Sequence, residues 1–165
     1  ALIHTGKEYG YDMRVIEAVE EVNECQKSIV FEKLLKVFDG NLEGKTIALW
    51  GLAFKPETDD MREAPALVVI DKLIKAGAKV NVYDPVAMNE CRRRIGDIVT
   101  YSKDMYEAII DVDAIALITE WKQFRIPSWK VVKKMMRGNL VVDGRNIYDV
   151  SDLIVEELRY VRIGK

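Results

Sequence analysis

Cysteine and histidine are almost missing from this chain of 165 residues, which has two of the first and one of the second. Cys25 and Cys91 stand far apart, with no CxxC spacing and no histidine beside either. A zinc site of the usual kind and a disulfide framework are therefore not expected, and both cysteines read as unreactive thiols. His4 reads as a solvated surface residue. No apolar run approaches the ~20 residues that a membrane-spanning helix needs. The start carries no charged segment followed by an apolar stretch, so no secretory signal is read there and a cytoplasmic chain is expected. The net charge of −2 at pH 7 leaves no electrostatic footprint for nucleic acid. Glycine is missing where it would count most: none follows Gly51 until Gly77, so the GxGxxG turn that lets a backbone approach a pyrophosphate is absent.

What is present is an ordinary globular composition, 49% apolar and 32% charged, in a length that favours one domain with an appendage and buries about 70% of its unfolded surface. Residues 1–9 have helical composition and stop at Gly10, after which Asp12 is a plausible N-cap. Ile16, Val19, Val22, Ile29, Val30, Leu34 and Phe38 then recur at three- and four-residue spacing. They predict one amphipathic helix of about 26 residues, roughly 40 Å long, against ~11 to 12 residues for a typical globular helix. A helix of that length suits a link between domains or a dimer contact.

After Asp39, Gly40 and Gly44 the chain alternates short apolar runs with helical segments. Strands are predicted near 46–50, 79–83, 98–101, 114–118, 140–142 and 160–163, and helices near 62–76, 87–95, 103–109, 128–136 and 151–157. Such alternation implies right-handed βαβ crossovers. The predicted fold class is α/β: a Rossmann-like, mainly parallel sheet of about six strands with helices on both faces, preceded by a long N-terminal helix. Residues 1–43 form the helical linker or dimerisation region, and residues 44–165 the Rossmann-like domain.

Ligands of parallel sheets bind beyond the carboxyl ends of the strands. The first strand delivers Phe54, Lys55, Asp59, Asp60 and Arg62 there, the second Asp84, the fourth Thr119, Glu120 and Trp121, and the fifth Asp143, Gly144 and Arg145. Three cations on one rim suit a phosphate or carboxylate group, so an anionic small molecule is inferred. The plainer alternative is that Lys55 and Arg62 pair with Glu57, Asp59 and Asp60 to hold the loop. Asp59 and Asp60 read as capping or ion-pairing groups rather than metal ligands. Asp84-Pro85 reads as a turn rather than a ribose contact, and Trp121 and Phe124 as packing residues.

The stretch GLAFKPETDDMREAP, followed by GAKVNVYDP, TEWKQF and VVDGRNIYD, resembles the carboxy-terminal half of the UDP-glucose 6-dehydrogenase family. GYDMRVIEAVEEVNECQK resembles that family's central helix. Relatives acting on UDP-N-acetylmannosamine or GDP-mannose share the architecture, and the FKPETDD and DGRN wording is closest to the UDP-glucose branch. The resemblance implies that Phe54, Lys55 and Arg145 contact the UDP-sugar and that Arg62 reaches NAD held by an amino-terminal domain. A homodimer through the long helix is expected because its apolar stripe exceeds what one small domain can cover. It implies a four-electron oxidation of the sugar alcohol with two NAD, through a thiohemiacetal and a thioester on a cysteine in a Cys-x-x-Lys-Asp stretch. That stretch is absent here, and neither Cys25 nor Cys91 matches it. No catalytic residue and no metal ligand is therefore assigned, and the chain, which begins at Ala1, is expected to be a UDP-sugar-binding half that is inactive alone. The alternatives are a standalone dimeric nucleotide-binding module, or the equivalent part of a UDP-N-acetylmannosamine or GDP-mannose dehydrogenase.

Overall fold

The apolar runs pair side by side in the computed structural model, which describes Thr5 and residues 8–164. The strands are β1 (Thr46–Trp50), β2 (Lys79–Tyr83), β3 (Thr100–Tyr101), β4 (Ala114–Leu117), β5 (Leu140–Asp143) and β6 (Arg159–Arg162). All pair in parallel, in the order β3-β2-β1-β4-β5-β6. Parallel strands are covered on both faces and so carry continuous apolar runs rather than alternation. Ile47, Ala48, Leu49 and Trp50 of β1 and every residue of β4 are fully buried.

Register decides what lies on the rim. Trp50 sits opposite both Tyr83 and Leu117, Leu117 opposite Asp143, and Asp143 opposite Arg162. The next residues along each strand, Gly51, Asp84, Ile118 and Gly144, therefore emerge beside one another. From β1 the chain runs outward through β2 to β3, then returns across the sheet to start β4 on the other side. The switch point, where ligands of open parallel sheets bind, lies between β1 and β4.

The helices are α1 (Arg14–Lys27), α2 (Ile29–Val37), α3 (Pro65–Lys75), α4 (Met88–Ile95), α5 (Trp129–Met135) and α6 (Val150–Val155). Right-handed crossovers through α3 and α4 in one half, and through α5 and α6 in the other, place the two sets on opposite faces. Pro65 opens α3 at a position where its missing N–H costs nothing. Gly77 follows its end at φ +79°. The predicted helix 103–109 is only a 3₁₀ turn, Glu107–Ile109. The carboxylate of Asp104 accepts from the backbone N–H groups of Tyr106 and Glu107, and Ile110 is already extended.

The single long helix expected from the periodicity divides at Ser28. The Ser28 N–H donates to the Cys25 carbonyl three residues back, at 3.2 Å, and its hydroxyl donates to the same carbonyl at 3.1 Å. A serine that takes up a backbone acceptor in this way competes with the regular ladder. Asp12 does not cap α1 either; Met13 occupies that position, and Asp12 instead pairs with the Arg14 side chain at 2.6 Å. The predicted helix over residues 1–9 and the placement of His4 lie outside the described residues, except that the Tyr9 N–H donates to the Thr5 carbonyl at 3.2 Å.

The two halves differ in burial. No residue of α1 is buried, whereas α2 lies against β5 and α3 and contributes Val30, Phe31 and Leu34 to the core around the sheet. Leu34→Ala, which empties a fully buried position, is expected to cost about 2–5 kcal/mol in urea unfolding. Glu21→Ala on α1, an exposed position, is expected to stay within about 0.5 kcal/mol.

Candidate functional site

Two buried carboxylates shape the rim. Asp84, 1% exposed at the end of β2, accepts five hydrogen bonds. Its Oδ2 takes the N–H groups of Leu52 (2.7 Å) and Ala53 (3.1 Å) after β1 and the Trp121 indole N–H (3.0 Å) after β4. Its Oδ1 takes the N–H groups of Val86 and Ala87. Asp143, fully buried at the end of β5, accepts from the N–H groups of Arg145, Ile147 and Tyr148 and from the Tyr160 hydroxyl. With its acceptor sites occupied, Asp84 has no free edge for a ribose hydroxyl and serves the turn that the sequence predicted.

The β1 loop is drawn tightly onto the β4 loop. Gly51 has φ +90°, and a Cβ built there would lie 2.6 Å from the Thr119 backbone nitrogen, so only glycine fits. The Thr119 hydroxyl donates to the Ala53 carbonyl at 2.5 Å. Further on, the Phe54 N–H donates to the Asp60 carbonyl at 2.8 Å and closes the loop on itself. Trp121 and Phe124 are buried, and Phe124 stacks on Trp50 with ring centroids 5.5 Å apart.

Above this framework lies a cleft of about 480 Å³. Its walls include Phe54 from the β1 loop, Ile118 beyond β4, Gly144 and Arg145 beyond β5, and Asn23, Glu24 and Lys27 from the end of α1. Phe54 and Arg145, named from the sequence, thus come together. Arg145 donates through Nε to Glu120. Lys55 is exposed beside Phe54 and has no ion pair among the described residues. Arg62 turns to a separate depression with Thr58, Asp59, Asp60, Glu90 and Arg94, so the three cations share the rim but not one cavity.

The cation that sequence reasoning passed over is Lys27. It donates to Glu24 at 2.6 Å and to Glu63 across the cleft, and with 14% of its side chain exposed it is the most enclosed charge of the cleft wall. The Glu24 and Glu63 hydrogen bonds raise its pKa, and the Lys27 hydrogen bond lowers that of Glu63. The clasp is therefore charged across the neutral range. Glu63 reaches Lys27 from a left-handed backbone, φ +58°, uncommon for such a side chain. The signal available in the sequence was the polar set Asn23, Glu24 and Lys27, spaced to share one face at the end of an otherwise apolar stripe.

Among the described residues no group of three or more His, Cys, Asp or Glu could hold a metal ion, and no helix is long and apolar enough to cross a membrane. Cys25 is exposed on α1, and Cys91 is buried with its thiol pKa pushed up by that burial.

Residues 48–150 match the model of the UDP-glucose/GDP-mannose dehydrogenase family, UDP binding domain. Over 170 residues the chain is 42% identical to a UDP-glucose 6-dehydrogenase of Pseudomonas aeruginosa, covering all of this chain and 38% of that protein. It is 39% identical to the UDP-glucose 6-dehydrogenase TuaD of Bacillus subtilis, again over its whole length and 36% of the relative. The chain thus spans under two fifths of these relatives. The structure of a UDP-glucose dehydrogenase from Pyrobaculum islandicum superposes with a TM-score of 0.81 at 33% identity, over 99% of this chain and 35% of that one.

Arg62 is held by Asp60 along one edge of its guanidinium, through two nitrogens: Nε lies 3.0 and 3.2 Å from the carboxylate oxygens, and Nη2 2.8 Å from Oδ2. The Arg62 side chain, and then its backbone N–H at 2.9 Å, hold the Asp60 pKa down to about 2, against an ordinary value of 3.8. A carboxylate whose pKa falls on folding favours the folded loop above its unfolded value and loses that contribution as pH drops through the folded one. For Asp60 the window is pH 4 to 2. An NMR titration of the Asp60 carboxyl is expected to give a midpoint near 2, moving back toward 3.8 in Arg62→Ala.

Proposed function

The chain belongs to the UDP-glucose/GDP-mannose dehydrogenase family, and from that premise we propose that it is the UDP-sugar-binding and dimerising portion of a cytoplasmic UDP-glucose 6-dehydrogenase. The whole enzyme would convert UDP-glucose, two NAD and water to UDP-glucuronate. The observation that carries this reading is the cleft at the carboxyl ends of the strands, which Phe54 and Arg145 of the matched segment both line. Residues 44–165 supply the UDP-sugar domain, and residues 1–43 the link to the amino-terminal NAD-binding domain, with α2 seated in the core.

Each residue acts by ordinary physical means. Phe54, 49% exposed at the cleft mouth, offers an apolar face and a backbone beside a nucleotide. Lys55 supplies an unpaired ammonium and Arg145 a planar fork, two cations for a diphosphate. This Rossmann unit does not fit NAD itself. Its β1 turn holds Lys55-Pro56 where glycines would be needed, and its β2 acid is saturated by five donors. NAD supplies the oxidising chemistry from the amino-terminal domain. Arg62, 79% exposed in its side chain, is the residue placed to reach across to it, and the reacting cysteine lies outside this chain, which alone is inactive.

The dimer would use α1. Val15, Ala18, Val19 and Val22 form an apolar stripe on its surface, with Val15, Val19 and Val22 at 78%, 55% and 58% exposure. A second copy of the helix would cover this stripe by side-chain packing.

Two measurements test the reading. Calorimetric titration of the chain with UDP-glucose is expected to detect weak binding, since part of the site lies in the other domain. Lys55→Ala and Arg145→Ala should each weaken it about 10- to 100-fold, the loss of a charged hydrogen bond, and NAD-dependent turnover by this chain alone would refute it. In sedimentation at micromolar concentration a dimer is expected that Val19→Asp dissociates; a monomeric wild type would remove the dimer proposal.

A further inference from the structure

We propose that Glu120 is a positioning residue for the UDP-sugar site: it fixes the Arg145 guanidinium so that the terminal edge of its fork stays open to the diphosphate. The proposal rests on the reading of Arg145 as a phosphate contact and adds a residue to which no role has yet been given.

Three observations carry it. First, the ion pair uses only one edge of the guanidinium. Arg145 donates to Glu120 through Nε, and no further side-chain partner holds its two terminal nitrogens among the described residues. Arg62 differs in that Asp60 takes one N–H of Nη2 as well as that of Nε. A guanidinium held at Nε alone retains its four terminal N–H groups, the set that pairs bidentately with a phosphate.

Second, the carboxylate approaches from the flank. Arg145 lines both the cleft and a shallower depression beside it, which also takes in Arg125, Asn146 and Ile147. Glu120 lines the shallower depression and is not part of the cleft wall. It therefore holds the arginine from outside the cleft wall that Phe54 lines.

Third, both ends of the pair stand on fixed backbone. The residues flanking Glu120 are anchored, Thr119 through its hydroxyl to the Ala53 carbonyl and Trp121 through its indole to Asp84. The Arg145 N–H donates to Asp143 at 2.9 Å and the Gly144 N–H to the Leu117 carbonyl at 3.0 Å. An arginine held between two such supports has already lost much of its rotamer freedom before a ligand arrives, and a pre-ordered contact binds more tightly than one ordered on binding.

Glu120 also has an opposing effect, because its charge partly neutralises the arginine and repels an incoming anion. The side chains are 35% and 26% exposed, where solvent weakens that repulsion, so orientation is expected to outweigh it. The two effects have opposite signs on affinity, and the experiment separates them.

UDP is titrated into the chain and into Glu120→Ala, Glu120→Gln, Arg145→Ala and the Glu120→Ala/Arg145→Ala double variant, each checked by thermal melting. Glu120→Ala is expected to weaken UDP binding about 10-fold. Glu120→Gln, which keeps an oxygen to accept from Nε, is expected to bind like the wild type or more tightly. In the Arg145→Ala background, Glu120→Ala is expected to change nothing further. Unchanged or tighter binding by Glu120→Ala, or an undiminished loss in the Arg145→Ala background, overturns the proposal. If Arg145→Ala itself binds UDP like the wild type, the reading of the site fails and the role of Glu120 with it. A measurement without ligand stands beside these: the Arg145 Nε–H should be ordered by NMR relaxation in the wild type and Glu120→Gln and mobile in Glu120→Ala. Equal order in all three overturns the proposal independently.

Discussion

The rim of this sheet depends on one buried carboxylate. Asp84 ends β2, yet its oxygens collect N–H groups from the loops after β1, β2 and β4. An ionised group withdrawn from water is costly unless its acceptor sites are filled, and here they are filled by the strand-end loops that meet at the switch point. Charge-assisted hydrogen bonds contribute roughly 1.5–3 kcal/mol each, enough to hold loops in one arrangement that apolar packing alone would leave loose. Asp143 repeats the device at β5. The Gly144–Tyr148 segment is fixed by it as the Leu52–Ala53 segment is by Asp84.

On this framework the two arginines are managed differently. Arg145 is gripped at one nitrogen and lines the cleft, while Arg62 is gripped at two on one edge and lines a separate depression. Arg62 keeps three N–H groups beyond those that Asp60 takes, and Arg145 keeps four, so each can meet a further acceptor without losing its support. The same residue type is thus supported by a neighbouring carboxylate at both places, and the difference lies in how many nitrogens that carboxylate takes and in which depression the arginine lines.

The strands were legible because a doubly covered parallel sheet writes itself as plain apolar runs. Thr46–Trp50 and Lys79–Tyr83 were placed to the residue, and the remaining strands within one or two. The positions just beyond the strand ends were enough to bring Phe54 and Arg145 to the same rim, because parallel strands all finish on one side. The break at Ser28 was not legible, since serine is tolerated within helices and its effect here depends on the hydroxyl turning to the Cys25 carbonyl. Nor was the saturation of Asp84, because an acid after a strand reads alike whether it meets a ligand or three loops. The α1 wall of the cleft escaped for a related reason: periodicity marks the apolar face of a helix and is silent about which polar residues its end carries over a cavity.

The break at Ser28 and the clasp at Lys27 sit next to each other, and together they give α1 a mechanical character. α2 is sunk in the core while α1 buries nothing, so the helix before the break is a lever arm and Ser28 its fulcrum. Lys27, immediately before the fulcrum, grips Glu63, the neighbour of Arg62. The end of α1 is thereby tied to the loop that frames the cleft by an ammonium group, beside the direct contact of α1 with α3.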